Sequence, residues 1–423
     1  MAAKMEPVPG TDDIWEPEVL EWQRLENVAR QVFRRYGYGE LRTPVFERTD
    51  VFVRGIGDET EVVQKEMYTF EDRGGRSLTL RPEGTAGTMR AIANQGIAQG
   101  EEKRVFCIGP MFRGERPAAG RKRQFHQISV EAVGKCTPVL DAECITMLVD
   151  YLGNIGLTDI NIQLNSRGTL EDRQRIAPQL QEFFQKHKKS LCDDCRRRID
   201  TNVWRILDCK NAECQALIEQ SPPIPELLSE ASKEYFDRVC GLLNALGISY
   251  NLNPRLVRGL DYYEHTVFEI TSEAEGLGAQ NALAGGGRYL INLPGSKKPV
   301  QGVGFGIGME RLLLALHPEK REPRGMGKVE VFVAGRGEKS QAERMHLAQE
   351  LREAGVAVVA EHEDRSLKAQ FRTANRLEAA LVLIQAEEEI SKQSVSCKDM
   401  RNSEQDECPR DQVLGWVKKR LQK

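Results

Sequence analysis

Residues 112–131, FRGERPAAGRKRQFHQISVE, gather Arg113, Arg116, Arg121, Lys122 and Arg123 around a Pro-Ala-Ala-Gly turn. Guanidinium forks match phosphate oxygens in bidentate geometry, so such a loop suits a polyphosphate or an RNA end. A charge run alone is equally a solvated loop. The arm that follows favours a site. Phe125, Gln127, Ser129 and Glu131 alternate, and a strand would set all four on one face, with His126 on the other. An aromatic ring, an amide and a carboxylate on one face make an odd core and a natural binding surface.

A second segment, GVGFGIGMERLLLAL (302–316), repeats glycine at 302, 304, 306 and 308, so one strand face carries no side chains. Glycine weakens a strand interior, and a row of four is sensible if a flat ligand such as a purine lies against the backbone. Tight strand–helix packing is the alternative. The spacing is not that of a G-x-G-x-x-G loop, which argues against a Rossmann site. Arg311 follows on the next helix turn, where it could meet phosphate.

A third, LVRGLDYYEHTVFE (256–269), crowds Arg258, Asp261, Tyr262 and Tyr263 onto a strand-like stretch. A buried tyrosine pair is commonly core, but an arginine beside glycine is hard to bury without an anion. AGGGRY (284–289) reads as a glycine turn leading to Tyr289, and TLRPEGT (79–85) places Glu83 and Thr85 after a proline turn.

Of ten cysteines, Cys192 and Cys195 form a C-x-x-C, and Cys209 and Cys214 follow thirteen residues later with a four-residue gap. The thirteen-residue separation suits a four-thiolate zinc site, while the second pair is wider than the common two-residue gap; unlinked thiols are the alternative. The histidines form no visible catalytic group. No G-x-S-x-G, H-E-x-x-H or P-loop is present, which excludes the serine hydrolase, zinc protease and P-loop readings.

The elements that would carry these residues follow from periodicity. An amphipathic helix is predicted over 17–37, with 41–52 extended around Pro44. Strand signals alternate with turns between about 60 and 135, a pattern for an antiparallel sheet with helices packed on it. Asp141–Leu152 reads as a helix and Ile160–Leu164 as a strand. Residues 168–245 are helical and charged, hold five cysteines and include the helix-breaking PPIP at 222–225. They read as an inserted subdomain. Strand signals return at 255–271, 282–289 and 302–308. HPEKREPRGMGK (317–328) is a linker by composition, and the alternating strands and helices beyond it form an α/β domain.

The 423 residues include 60 Lys and Arg against 63 Asp and Glu, a net charge of -3, so nucleic-acid binding must come from local patches. Hydrophobic residues make up 40% and charged residues 29%, which excludes a disordered or fibrous chain. No window approaches ~18 uninterrupted apolar residues, and the polar, acidic N-terminus has no signal-peptide core. A cytoplasmic protein with mostly free or metal-bound thiols is expected.

Together these segments resemble the class II aminoacyl-tRNA synthetases, and among them the histidyl-tRNA synthetase family of bacterial type, over nearly the whole chain. Pro44 and its helix look like the first class motif, which builds a dimer interface. FRGERP…RQFHQ looks like the second motif and GVGFGIGMER the third. LVRGLDYY and AGGGRY look like the two histidine-specific peptides. The resemblance implies an α+β fold: an antiparallel-sheet catalytic domain over 1–325 with a helical insertion at about 168–245, then an α/β anticodon-binding domain over 329–423. It implies ATP-dependent ligation of L-histidine to tRNA-His through a histidyl-adenylate, with Mg²⁺, by a cytoplasmic homodimer that contacts no membrane.

Residue by residue, it implies that Arg113 and Arg258 are catalytic. Arg113, Glu115, Phe125, Arg258 and Arg311 would bind ATP. Glu83, Thr85, Arg113, Gln127, Glu131, Arg258, Tyr262, Tyr263 and Tyr289 would bind histidine, and Arg116, Arg121 and Arg123 the tRNA acceptor end. The chain departs from the family pattern at Leu290-Ile291, where Asp-Gly is usual, and at Ala118, where Gln is frequent. A second reading is an inactive paralogue serving as regulatory subunit of the ATP phosphoribosyltransferase of histidine biosynthesis. Such paralogues usually lose catalytic arginines and the anticodon-binding domain. A third is a non-enzymatic RNA- or zinc-binding protein, which leaves the glycine-faced strand and the arginines unexplained.

Overall fold

The apolar stripe of the first long helix decides where the main sheet lies. In the computed structural model of the protein, helix α1 (Glu18–Arg35) buries Trp22, Leu25, Ala29, Val32 and Phe33. These recur at the three- and four-residue spacing of one helix face. The Phe33 ring sits 5.3 Å from Phe106 and 6.1 Å from Phe305, on two strands of that sheet. The structure describes residues 5–57, 60–96, 101–260, 262–278, 281–291, 299–316 and 329–422. They fall into two compact units, Met1–Glu322 and Pro323–Lys423. The predicted linker 317–328 and Asp261 lie outside the described residues.

The strands of the first unit are β1 (Gly39–Glu40), β2 (Phe46–Arg48), β3 (Thr69–Glu71), β4 (Ser77–Leu80), β5 (Lys103–Phe112), β6 (Gln124–Val133), β7 (Asn161–Ser166), β8 (Asn251–Leu252), β9 (Tyr263–Thr271), β10 (Ala282–Ile291) and β11 (Val300–Gly308). Eight of them form a sheet in the order β1-β5-β6-β11-β10-β9-β7-β8, with β2-β4-β3 as a separate small sheet. The six central strands pair antiparallel, and only the short edge strands β1 and β8 join parallel.

Alternation gives the large sheet two unlike faces. Ile128, Val130 and Ala132 of β6 and Val303, Phe305 and Ile307 of β11 point into the main core. That core is shared with α1 and with α4 (Pro138–Asn154), which buries Cys144, Ile145, Leu148 and Leu152. Burial of this kind stabilises by about 25 cal/mol per Å² of apolar surface. The other face carries Gln127, Ser129 and Glu131 and the glycines of β11. Strand β10 is anchored through the core by Arg288, whose Nε donates to Asp141 Oδ1 at 2.8 Å. Thr266 Oγ1 donates to the other carboxylate oxygen at 2.7 Å. This buried ion pair is fully partnered, the condition under which such a pair is tolerated.

Three local readings change. Residues 49–52, the end of the stretch expected to be extended, instead open helix α2 (Thr49–Ile56). The apolar positions Val51, Phe52, Gly55 and Ile56 have helical rather than alternating spacing and pack on α3 (Thr85–Gln95), where a Cβ on Gly55 would come within 2.8 Å of Ala86 Cβ. Residues 255–260 and Tyr262 are loop, so Arg258 stands before β9 and not on a strand. AGGGRY makes no turn and lies within β10, as the strand signal over 282–289 implied, with a register shift between Gly287 and Arg288.

Between β7 and β8 run the helices of the insertion: α5 (Leu170–Lys186), α6 (Asp193–Thr201), α7 (Ala212–Ile218) and α8 (Glu230–Ala245). The first three close on a small core of their own that includes Ile176, Leu180, Phe184, Trp204 and Ile206. Helix α8 instead packs on the main core through Phe236, Val239 and Leu243. The short helix α9 (Met309–Ala315) follows β11.

In the second unit a five-stranded sheet has the order β13-β12-β14-β15-β16, from β12 (Val331–Ala334), β13 (Val358–Ala360), β14 (Leu381–Ile384), β15 (Ser394–Asp399) and β16 (Gln405–Pro409). Helices α10 (Glu338–Glu353), α11 (Leu367–Arg376), α12 (Glu387–Ser391) and α13 (Val413–Leu421) complete it. Strand β16 was not expected. It is a polar, exposed edge ending in proline, which carries no period-two signal. Among the described residues no helix is long and apolar enough to cross a membrane.

Candidate active site

Two adjoining cavities lie over the polar face of the large sheet, one of about 350 Å³ and one of about 90 Å³. Arg113, Gln127, Arg258, Gly285 and Gly306 line both. The larger is walled by Arg113, Glu115, Phe125, Arg258 and Arg311, the five residues expected to bind ATP. The smaller takes in Glu83, Thr85, Gln127 and Glu131 from one side and Tyr262, Tyr263 and Tyr289 from the other. With Arg113 and Arg258 these are the nine expected to bind histidine. Residues from five separated segments thus meet because β6, β11, β10 and β9 are adjacent in the sheet, with α3 packed against β6.

At the centre of the smaller cavity Glu131 accepts hydrogen bonds from Thr85 Oγ1 at 2.6 Å and from the Tyr289 hydroxyl at 2.7 Å. Glu83, expected as a ligand, has both oxygens turned to the start of α3, accepting from the backbone N–H of Thr85 and of Ala86, each at 2.7 Å. A carboxylate there satisfies two otherwise orphaned donors and complements the helix dipole. The rings of Tyr262 and Tyr263 lie 4.7 Å apart, and Tyr289 is 5.6 Å from Tyr262.

Burial pushes the Glu131 carboxyl up to about 8, reinforced by the nearby Glu83 and only partly offset by the two hydroxyls. Burial raises Glu83 as well. A carboxyl whose folded pKa exceeds its unfolded value of 4.5 keeps its proton in the fold while the unfolded chain releases it. Stability therefore declines as pH rises from 4.5 towards 8. Glu131→Gln is expected to flatten that part of the thermal-unfolding profile, because the amide cannot ionise. Parallel profiles for parent and variant would contradict the assignment.

In the larger cavity the Arg113 guanidinium lies 5.3 Å from the centre of the Phe125 ring, and its Nε donates to the Pro82 carbonyl at 2.9 Å. Arg311 Nη1 donates to the Ala282 carbonyl at 2.6 Å. Arg121 stands 3.5 Å from Glu115. The Arg258 guanidinium pairs with Glu269, while its Nε is buried with no hydrogen-bond partner among the described residues. A cationic donor held this way is matched to an anion. Sequence reading missed the rim residues Arg205 and Asp208, which reach the cavity from the insertion, and Glu61 and Glu66 beside α2. Their segments carry charges of both signs with no period or motif, so only tertiary contact singles them out. Glu310 of the MER triplet was also missed: it accepts the backbone N–H of His126 at 2.9 Å, holding β6 to α9. His126 faces away from the site, edge-on to Trp22 at 4.7 Å.

The glycine row of β11 does more than leave a flat floor. A Cβ on Gly302 would overlap the Tyr289 hydroxyl, one on Gly304 the Glu131 carboxylate, and one on Gly306 would come within 2.5 Å of Gln127 Nε2. Much of the bare face is therefore filled by side chains of the flanking strands. Gly306 and Gly308, together with Gly285 of β10, line the larger cavity. Gly285 is bare for the same reason, since its Cβ would overlap the Arg258 guanidinium.

In the loop above, Arg116 and Arg121 are exposed, and Ala118 and Arg121 bridge each other at its tip. Arg123 is instead tied to the N-terminal segment, through its side chain to the Pro9 carbonyl at 3.3 Å and its backbone N–H to Gly10 at 2.8 Å. Leu290 lines neither cavity; its backbone N–H donates to the Tyr262 carbonyl at 2.9 Å. The sulfurs of Cys192, Cys195, Cys209 and Cys214 lie within 4.8 Å of one another in the insertion.

A family model for histidyl-tRNA synthetase matches residues 10–312, and one for an anticodon binding domain matches 328–420. The chain is similar to a histidine–tRNA ligase of Geobacillus sp. (strain WCH70), 43% identical over 417 residues that cover 97% of this chain and 98% of the relative. It is 45% identical to one of Maridesulfovibrio salexigens, covering 97% of this chain and 100% of the relative. In structure it is similar to apo histidyl-tRNA synthetase of S. aureus, with a TM-score of 0.81 and 32% identity, covering 98% of this chain and 100% of that one.

Proposed function

The chain belongs to the histidyl-tRNA synthetase family, and on that footing we propose that the two adjoining cavities are where it activates histidine with ATP. The protein is an enzyme, an aminoacyl-tRNA synthetase that charges tRNA with histidine, and its C-terminal domain is an anticodon-binding domain. The observation that carries the site assignment is the shared wall. Arg113, Arg258 and Gln127 border both cavities, so their junction is where an amino-acid carboxylate and an α-phosphate meet.

In this reading the imidazole and amino group of histidine enter the smaller cavity, where Glu131, Gln127, Thr85 and the tyrosine hydroxyls supply hydrogen bonds. A site built on such bonds rejects analogues that lack them by about 10⁴-fold, because its buried polar groups are left unpaired. ATP occupies the larger cavity, its adenine between Phe125 and the β11 glycines, with Glu115 at the ring edge and Arg311 at the γ-phosphate. The histidine carboxylate attacks the α-phosphorus in line and pyrophosphate leaves. The terminal ribose hydroxyl of the tRNA then attacks the adenylate carbonyl and AMP leaves. No protein nucleophile takes part. Arg113 and Arg258 hold the reacting groups and stabilise the charge developing on the phosphoryl oxygens. The wall carboxylates Glu61, Glu66 and Asp208 fit a Mg²⁺ carried by the triphosphate, a hard ion that takes oxygen ligands and shields the phosphate charge.

Arg116 and Arg121, exposed at the loop tip, are positioned to meet the acceptor end, while Arg123 seats the N-terminal segment against the loop. A cytoplasmic homodimer is the proposed working form. Supporting it, Phe46 and Phe70 of the small sheet are 51% and 43% exposed and pack edge to face, an apolar patch that a second copy would cover. Purified protein is expected to catalyse histidine-dependent ATP–pyrophosphate exchange and to charge tRNA-His. Exchange without charging would remove the role given to the loop and the C-terminal domain. No exchange from folded protein would favour the regulatory paralogue and overturn the site assignment.

A further inference from the structure

Sequence spacing left the four insertion cysteines undecided, because the second pair is wider than the usual two-residue gap. The fold removes that objection. Cys192 stands at the N-cap position of α6 and Cys195 lies within it, and their sulfurs are within 4.8 Å of those of Cys209 and Cys214. Asn211 caps α7 by accepting the backbone N–H groups of Glu213 at 3.0 Å and Cys214 at 3.3 Å. The cap folds the extra residues into a turn and brings Cys214 back over Cys209. Cys192 and Cys209 sulfurs stand 3.8 Å apart. Sulfurs arranged tetrahedrally about 2.3 Å from a zinc ion are separated by about 3.8 Å. The backbone N–H of Cys192 donates to Cys214 sulfur at 3.3 Å, a bond that strengthens when the sulfur is a thiolate.

We propose that Cys192, Cys195, Cys209 and Cys214 bind one structural Zn²⁺ as a closed four-thiolate centre that holds the insertion together. The first three insertion helices close on a core of their own, and a structural metal is one of the staples that small cores add. Binding exchanges four thiol protons for the ion, leaving a centre of net charge about -2, with Arg196 and Lys210 next in sequence to Cys195 and Cys209. The chain between Cys195 and Cys209 carries Trp204, stacked under Arg167 at 5.2 Å, and Arg205, whose Nη2 donates to the Gly259 carbonyl at 2.6 Å. Gly259 adjoins Arg258, so the centre fixes one rim of the larger cavity from outside it.

The test is elemental analysis of the full chain purified without chelator, with Co²⁺ exchanged into the native protein after release of bound metal by an organomercurial. About one zinc per chain is expected, and the cobalt form should show the intense visible and thiolate charge-transfer bands of a tetrahedral sulfur site. Cys209→Ser and Cys214→Ser should lose nearly all the metal, while Cys240→Ser, outside the cluster, keeps it. If the first two variants do not fold, the cobalt spectrum of the native chain decides. Protein that holds no zinc, gives only weak octahedral cobalt bands and leaves all four thiols open to alkylation would overturn the proposal. So would two disulfides found by mass spectrometry. Neither readout depends on aminoacylation, so failure here is distinct from failure of the functional reading.

Discussion

Arg258→Ala is expected to lower kcat for histidine-dependent ATP–pyrophosphate exchange by about 10²–10³-fold, the range seen when one preorganised group facing a developing oxyanion is removed. Arg258 borders both cavities and keeps a buried Nε without a hydrogen-bond partner among the described residues. Its guanidinium is therefore the cation best placed at their junction. Histidine binding should survive in part, because Glu131, Thr85, Gln127 and Tyr289 are untouched. The fold should survive too. Glu269, left behind, is 29% exposed on its side chain and can take water in place of the lost partner. Steady-state exchange at saturating histidine and ATP, with histidine affinity from equilibrium titration, separates the two effects. Turnover unchanged in a folded variant would remove Arg258 from the reaction, and a pure rise in KM would make it a binding residue only.

Gly285→Ala should reproduce much of that loss without touching a charged group. The three atoms nearest to an added methyl all belong to the Arg258 guanidinium, the far end of a flexible side chain. The arginine can swing aside at small cost in stability, yet the cavity junction then loses the Arg258 cation. A displacement of about 1 Å can cost about 10²-fold where catalysis rests on positioning. The decisive experiment is a double-mutant cycle. Arg258→Ala with Gly285→Ala should be no slower than Arg258→Ala alone, since the methyl acts through the side chain that is already gone. Additive losses would mean that Gly285 serves the nucleotide directly. A large drop in melting temperature would mean that the strand rather than the arginine was disturbed.

The sequence by itself determined which residue types converge. Arginines around a turn, an alternating Phe-Gln-Ser-Glu arm and four alternating glycines announce a polar, bare-faced sheet, because strand periodicity is local and legible. The long first helix and the alternating C-terminal elements were legible for the same reason. Tertiary structure decided what the local pattern could not. Glu83 is a carboxylate after a proline turn in sequence, but its oxygens are spent on the first turn of α3. Glycines 302 and 304, read as a floor for a ligand, leave room for Tyr289 and Glu131 from neighbouring strands. Residues 49–52 were misread because Pro44 and β-branched neighbours signal extension, while packing on α3 selects the helix. The rim residues Arg205 and Asp208 had no signal, since they reach the site only through the folding of an insertion far away in the chain. Hydrophobic period is a property of consecutive residues. Which side chain fills the space above a glycine, or which carboxylate meets a helix end, depends on contacts between segments, and no single segment encodes those.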